Sequence, residues 1–427
     1  MQLAAELQSR GLLKQVTDND LDAKLSALAD AGPIACYAGF DPTADCLHVG
    51  NYVPIRGLMS AQRHGIQPIA VVGGATGLVG DPSGKDAERQ FLTMDKVAAN
   101  TKGIRSVLER FLDFDHPTAP ATIVNNLDWF EPMLAIDFLR DIGKHFRVGP
   151  MLGKESVRAR MSASDEGISF TEFSYQLLQG YDFYRLYKDH RCVLQIGGSD
   201  QWGNITAGID LIRKLEGEAS NIFGLTMPFI SSSSGVPFSK SKGNAPWLSA
   251  DRTDPYSFYQ FWLRVEDADA GRYLRLFTFV PLEEIEQLEQ SHETRACQKR
   301  LAQEMTRLTH GHDALQGAEA AADIMFGGVI HQGIDNDTLT QVFDQVPTVK
   351  VQRGQLTAGW PAIDAAVHAG VAKSKGDARR LITQGGFYIN NIARTDLDQP
   401  LTLDDLVTPT AIVLRGGKKN YRLVRVE

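Results

Sequence analysis

From Ile34 to Gly39 the chain reads apolar or small at every position, which predicts a strand buried on both faces, as in a parallel sheet. Asp41-Pro42-Thr43 then supplies a turn, and Gly50 opens an apolar stretch through Ile55, Leu58 and Met59 with helical spacing. Pro54 falls near the first turn of that helix, where it costs little hydrogen bonding. The same strand-then-glycine-turn pattern recurs at Ile69 to Lys85, IAVVGGATGLVGDPSGK, and at Val193 to Asn204, VLQIGGSDQWGN. Between about 251 and 333 the pattern turns helical, with apolar residues at Phe258, Phe261, Trp262, Leu301, Met305 and Leu308. The span 334–359 is polar and ends in the Gly354 and Gly359 turns, so it is the expected linker.

Ser169 to Tyr184, SFTEFSYQLLQGYDFY, opens with a Ser169/Glu172 capping-box pattern and continues as an apolar helix. Tyr175, Gln179 and Asp182 are spaced by four and three, so they share a face. Such a face is either a solvated stripe or the wall of a pocket. Phe173, Leu177, Leu178, Tyr181, Phe183 and Tyr184 leave little of the helix for water, which favours the pocket.

The polar turn after the first strand sets Asp41, Thr43 and His48 at one mouth. The opening N–H groups of the following helix, with His48 and Asn51 beside them, suit a nucleotide triphosphate. Ser231 to Asn244, SSSSGVPFSKSKGN, reads as a loop carrying Lys240 and Lys242. The GxxxxGK[ST] spacing is missing around Lys85, which argues against a Walker-type ATPase.

Here the chain resembles class I aminoacyl-tRNA synthetases. His48-Val49-Gly50-Asn51 is similar to their HIGH motif, with an Asn amide that can donate where an imidazole would. Pro237 to Ser241 is similar to KMSKS, with Pro237 in place of the first lysine and Lys240 in the second position. The Tyr175/Gln179/Asp182 helix narrows the resemblance to the tyrosyl enzymes.

That resemblance implies a Rossmann-like, doubly wound parallel-sheet catalytic domain (1–250), a helical anticodon-recognition domain (251–333), the linker (334–359) and a small α+β RNA-binding module (360–427). It assigns Tyr37 and Asp182 to the substrate phenol, and Tyr175, Gln179 and Asp81 to its ammonium end. Asn126, Gln195 and Gln201 fall to the same amino-acid pocket. Gly39, Asp41, Gly50, Gly198 and Asp200 fall to ATP, with Asp200 on the ribose. Thr43, His48, Asn51, Lys85, Arg89, Lys240 and Ser241 fall to the triphosphate and the departing pyrophosphate. Ala38 stands where some relatives carry a cysteine against the ribose, a departure that removes the thiol from that contact. Tyrosine, ATP with Mg2+ and a tyrosine-accepting tRNA are the implied substrates, and a homodimer the implied assembly.

Composition changes this picture in a few places. The 427 residues, 43% hydrophobic and 22% charged, suffice for two or three domains. Cys36, Cys46, Cys192 and Cys297 form no CxxC pair and fit a reducing cytosol; His310 and His312 lack a nearby third ligand, so no protein-held metal is expected. The opening MQLAAELQSRGLLKQ has acidic Glu6 and no long apolar run, so a signal peptide is not expected, and no run approaches about 20 apolar residues, giving the expectation of a cytoplasmic protein without a membrane span.

The net charge of −8 hides an asymmetry. Residues 351–427 carry 11 Lys+Arg against 7 Asp+Glu, whereas the rest carries 33 against 45. Charge alone leaves a solvated basic face and an RNA surface equally open. Ser374 to Asn391, SKGDARRLITQGGFYINN, resembles the module of a small-subunit ribosomal protein also appended to bacterial tyrosyl synthetases, which puts Lys375, Arg379, Arg380, Lys418 and Lys419 toward RNA. Arg295, Lys299, Arg300 and Arg307 form a second basic stretch, equally explained as a solvated helix face. Rival readings are a tryptophanyl-type synthetase, a nucleotidyltransferase acting without RNA, and an RNA-binding protein with dead chemistry.

Overall fold

The computed structural model describes residues 2–83, 92–162, 167–218, 220–233, 235, 238, 245–325, 327–334, 336–343, 346–418 and 420–427. They pack as two compact units, Met1–Thr253 with Phe261–Thr309, and Asp254–Gln260 with His310–Glu427.

The first unit is built on a six-stranded sheet of β1 (Gln15–Val16), β2 (Ala35–Phe40), β3 (Gln67–Val72), β4 (Thr122–Asn125), β5 (Cys192–Gly198) and β6 (Phe223–Met227), in the order β1-β6-β5-β2-β3-β4. All neighbours are parallel except the edge pair β1/β6. The chain winds outward from β2 in one direction through β3 and β4, and in the other through β5 and β6. That is a doubly wound, Rossmann-like sheet, and its crevice opens at the carboxyl ends of β2 and β5, where the winding reverses.

Burial explains the strands. Every residue of β2 is buried except Gly39, and every residue of β6 is buried, as expected for a sheet covered on both faces. The predicted strand at Ile34 to Gly39 is shifted by one residue, because Ala35 opens the ladder by pairing with Gln67.

Three helices carry the site. Tyr52–Arg63 follows a tight turn at Val49–Asn51, with Pro54 as its third residue. Phe170–His190 is started by Ser169, whose Oγ accepts the Glu172 N–H at 3.2 Å. The reciprocal half of the expected capping box does not form, because the buried Glu172 carboxylate faces Arg160 at 3.0 Å. Trp202–Glu216 packs on this helix where Gly180 and Gly208 meet. A β-carbon on either would lie 3.5 Å from the other's Cα, so the small residues set the spacing.

Arg56 is fully buried one turn beyond the His48 turn. Its guanidinium donates to Glu6 Oε1 at 3.2 Å and to the Thr278 carbonyl at 3.1 Å, and lies 3.4 Å from the centre of the Phe279 ring. Glu6 also meets His64 Nε2 at 2.8 Å, so the N-terminal helix Leu3–Ser9 is tied to the helix that leaves the site.

The second unit contains a five-stranded sheet, β7 (Thr348–Val351), β8 (Phe387–Ile389), β9 (Ile392–Ala393), β10 (Ala411–Gly416) and β11 (Asn420–Val426), ordered β7-β11-β10-β8-β9. Helices Ala362–His368 and Lys375–Thr383 share a core with it around Trp360, Phe387, Ile412 and Val424. The span 334–359 was expected to be a linker. Its described residues instead include helices Asn336–Val342 and Arg353–Thr357 and strand β7, whose Val351 is buried and which pairs in parallel with β11. The polar residues that suggested a linker belong to these short helices and to an edge strand with one solvated face.

Candidate active site

Beneath the crevice lies a cavity of about 270 Å³. At its floor, Tyr37 of β2 stands directly across from Gln195 of β5. Both are buried, and neither the Tyr37 hydroxyl nor Gln195 Oε1 has a hydrogen-bond partner among the described residues. Asp182 reaches the same floor from the Phe170–His190 helix. Asn126 Nδ2 donates to Asp182 Oδ2 at 3.1 Å and Trp129 Nε1 donates to Asp182 Oδ1 at 2.8 Å. Burial outweighs these two donors and pushes the Asp182 carboxyl up to about 7. Burial, followed by the nearby Asp182 charge, also drives the Tyr37 phenol well above its usual range. An orphaned buried hydroxyl beside a buried carboxyl is a costly arrangement that a ligand hydroxyl would satisfy.

Above this floor runs a ring of carboxylates. Tyr175 donates to Asp41 Oδ2 at 2.9 Å and Thr76 donates to Asp41 Oδ1 at 2.8 Å, while Asn126 Nδ2 donates on to Thr76 Oγ1 at 3.0 Å. Asp81 accepts the Ser83 N–H at 2.9 Å and the Gln201 amide at 2.6 Å. Gln201 also donates to Asp200 Oδ2 at 3.1 Å, and Asn204 Nδ2 bridges Gln201 and Gln179. Burial, then Asp41 and Asp81, raise the Tyr175 phenol strongly, so it stays a donor. The predicted Tyr175, Gln179 and Asp182 thus form a pocket wall rather than a solvated stripe.

The other end of the cavity is lined by Gly39, Thr43, Gly50, Asn51, Gly198 and Asp200. His48 caps the Val49–Asn51 turn. Its Nδ1 accepts the Gly50 N–H at 3.0 Å, and its own backbone N–H donates to Asn51 Oδ1 at 3.1 Å. Because Nδ1 is an acceptor, the neutral ring carries its proton on Nε2. Gly50 is required here: a β-carbon would come within 2.7 Å of the imidazole. The Asn51 side-chain oxygen holds the His48 backbone, which leaves its Nδ2 amide as the group for the expected donor role.

Sequence reasoning missed several members of the site. Thr76 and Trp129 bind the two key carboxylates, and Asn204 joins Gln179 to Gln201. Lys85, Arg89, Pro237, Lys240, Ser241, Lys242 and Lys419 lie outside the described residues.

Residues 29–327 match the family described as tRNA synthetases class I (W and Y), and residues 338–424 match the Tyrosine–tRNA ligase SYY-like C-terminal domain. The Tyrosine–tRNA ligase of Roseiflexus castenholzii is 47% identical over 426 residues, spanning 99% of this chain and 98% of its own. That of Bacillus caldotenax is 47% identical over 429 residues, with both chains covered in full.

The chain belongs to the class I tyrosine–tRNA ligases.

Among solved structures, a C-terminally truncated mitochondrial tyrosyl-tRNA synthetase from Aspergillus nidulans superposes with a TM-score of 0.66 at 30% identity, covering 76% of this chain and 94% of its own. Membership accounts for the doubly wound sheet, and the match at 338–424 takes in helices Arg353–Thr357, Ala362–His368 and Lys375–Thr383 and nearly all of the five-stranded sheet.

Proposed function

We propose that the cavity activates L-tyrosine with ATP and that the activated tyrosine is then passed to the terminal adenosine of its tRNA. The observation that carries the substrate choice is the unpartnered Tyr37 hydroxyl beside the buried Asp182. A phenol entering between them gains partners that a phenyl ring cannot supply. The tyrosyl-tRNA synthetases are the established example of this effect, in which buried polar groups left unpaired reject phenylalanine. The ammonium group then falls among Asp81, Tyr175 and Gln179 of the cavity lining, with Asp41, expected on the ATP side, accepting the Tyr175 hydroxyl beside them.

In the first step the tyrosine carboxylate oxygen attacks the α-phosphorus, the bond to the bridging oxygen breaks, and pyrophosphate leaves with the electron pair. In the second, a ribose hydroxyl of the tRNA end attacks the activated carbonyl and AMP departs. Both steps depend on positioning and charge stabilisation rather than on a protein nucleophile. The Nε2–H of His48, with Thr43, is the donor pair toward the phosphates. Asp200 takes the ribose. Lys85, Arg89, Lys240 and Ser241 are assigned to the developing pyrophosphate charge by their motifs alone.

Magnesium would neutralise the triphosphate. The Asp41 and Asp81 carboxylates are already hydrogen-bonded, so the ion would be held mainly by phosphate and water oxygens. In the second unit Lys375, Arg379, Arg380 and Lys418 are exposed on the basic module and supply an RNA-binding face.

A homodimer is supported by an exposed apolar set in the first unit, Leu134, Ile136, Leu139, Val148 and Phe170, each at least half exposed. No helix among the described residues is long and apolar enough to cross a membrane. The cytoplasm, where tRNA is charged for translation, is the compartment this reading implies. The test is attachment of labelled tyrosine to a tyrosine-accepting tRNA. Charging that needs ATP and spares other tRNAs supports the reading, and its absence in folded protein removes it.

A further inference from the structure

The His48 turn is stitched to the segment that follows the lysine-bearing loop. Trp247 pairs with His48 in an antiparallel bridge; Val49 N–H donates to the Pro246 carbonyl at 3.0 Å and Leu248 N–H to the Leu47 carbonyl at 2.8 Å. The Trp247 indole meets the His48 imidazole nearly edge to face, with ring centres 5.9 Å apart and planes at 80°. Trp247 is in turn held from behind. Its backbone N–H donates to Thr253 Oγ1 at 3.0 Å, and the Arg252 guanidinium lies 5.6 Å from its ring while pairing with Asp45, which precedes His48 in the same connection.

The Gly50 N–H fixes the Nδ1 edge of the His48 ring, and rotation about that bond would tilt the imidazole toward or away from the indole. The indole therefore supplies a second constraint of a different direction. Together they set the direction of the Nε2–H, the proton assigned above to the phosphates.

We propose that Trp247 is a positioning residue for the activation step and acts through His48. The inference rests on the activation reading and deepens it. It predicts that Trp247 contributes to the transition state, where the direction of a donor matters most, and little to tyrosine binding, which takes place at the other end of the cavity.

The experiment uses the full chain. Single-turnover formation of tyrosyl-adenylate and the tyrosine Kd are measured for the parent, Trp247→Leu, Trp247→Phe, His48→Ala and the His48→Ala/Trp247→Leu double variant. Trp247→Leu should slow adenylate formation about tenfold or more with the tyrosine Kd nearly unchanged, and Trp247→Phe should restore most of the rate. In the His48→Ala background, Trp247→Leu should change the rate by no more than about twofold, the mark of two residues acting as one unit. Where Trp247→Leu does not fold, Thr253→Val, which removes the bond holding the Trp247 backbone, takes its place in the cycle with the same expected coupling to His48.

Effects of the two positions that multiply independently would overturn the inference while leaving the activation reading intact. A His48→Ala variant as fast as the parent would overturn the inference and the phosphate role of His48, whereas a folded parent that forms no adenylate would overturn the activation reading.

Discussion

Trp129 and Asp182 are joined by a 2.8 Å hydrogen bond from the indole Nε1 to the carboxylate Oδ1, on the buried floor of the cavity. With Asn126 on the other oxygen, the indole holds the carboxylate in one orientation and opposes the effect of burial on its protonation. Trp129→Phe removes that donor while keeping an apolar ring. It should weaken tyrosine binding by roughly 1–3 kcal/mol, about 5- to 150-fold in Kd, while leaving the ATP dependence little changed. Equilibrium binding of tyrosine to parent and variant checks this.

Asp182 carries a pH signature. Its carboxyl is raised from the ordinary 3.8 to about 7, so the folded chain keeps a proton that the unfolded chain has already lost. Between these values, stability contributed by this group is lost as pH rises. Tyrosine donates its phenol proton best to the ionised carboxylate, so binding should release a proton near neutrality, and affinity should improve as pH climbs through about 7. Asp182→Asn should flatten that dependence. Tyrosine Kd measured from pH 5.5 to 8.5, an interval of about 1.5 either side of that value, gives the answer.

Tyr37→Phe should move stability and selectivity in opposite directions. The hydroxyl is buried without a partner, so its removal should leave thermal stability unchanged or raise it by about 1 kcal/mol. Yet the same change deletes the partner proposed for the substrate phenol, and preference for tyrosine over phenylalanine should fall by roughly tenfold or more. Unfolding curves and paired activation rates test the two signs together.

Glu6 is not among the residues lining the cavity and affects stability instead. Burial alone would raise its carboxyl, but the His64 and Arg56 hydrogen bonds and charges prevail and hold it down to about 2. The resulting stability is fully present above the ordinary 4.5 and is lost as pH falls toward 2. Glu6→Gln strands the fully buried Arg56 and should cost roughly 3 kcal/mol at neutral pH, with the gap to the parent closing in acid. Denaturant titrations at several pH values measure it.

The basic module offers a separable effect. Replacing Lys375, Arg379 and Arg380 by alanine removes charge from the exposed side of the Lys375–Thr383 helix, where Asp364 pairs with Lys375 and Asp377 with Arg380. Adenylate formation should be spared. Affinity for tRNA should fall, and its salt dependence should become shallower by about one unit per lost phosphate contact.

Local pattern made the centre of the fold legible. The two-sided burial of β2 and the four-and-three spacing of Tyr175, Gln179 and Asp182 are properties of short segments, and both are present in the structure. What the pattern did not reveal are contacts between segments remote in sequence. Trp129 reaches Asp182 across 53 positions and Thr76 reaches Asp41 across 35, and nothing in either local stretch announces its partner. The stretch 334–359 misled for a different reason: its polar residues belong to an edge strand and to short helices completed only when β11 arrives from the end of the chain. The basic stretch at Arg295 to Arg307 is likewise engaged locally, since Arg300 and Arg307 both pair with Glu304, and Lys299 with Glu293.

The central claim is that this cavity activates tyrosine and selects it by its phenol. Amino-acid-dependent exchange of pyrophosphate into ATP, compared for tyrosine, phenylalanine, tryptophan and no amino acid, tests it most directly. Strong exchange with tyrosine alone is the predicted result. Equal exchange with phenylalanine would contradict the role of Tyr37 and Asp182, and no exchange with any amino acid, in folded protein supplied with magnesium, would contradict the activation step itself.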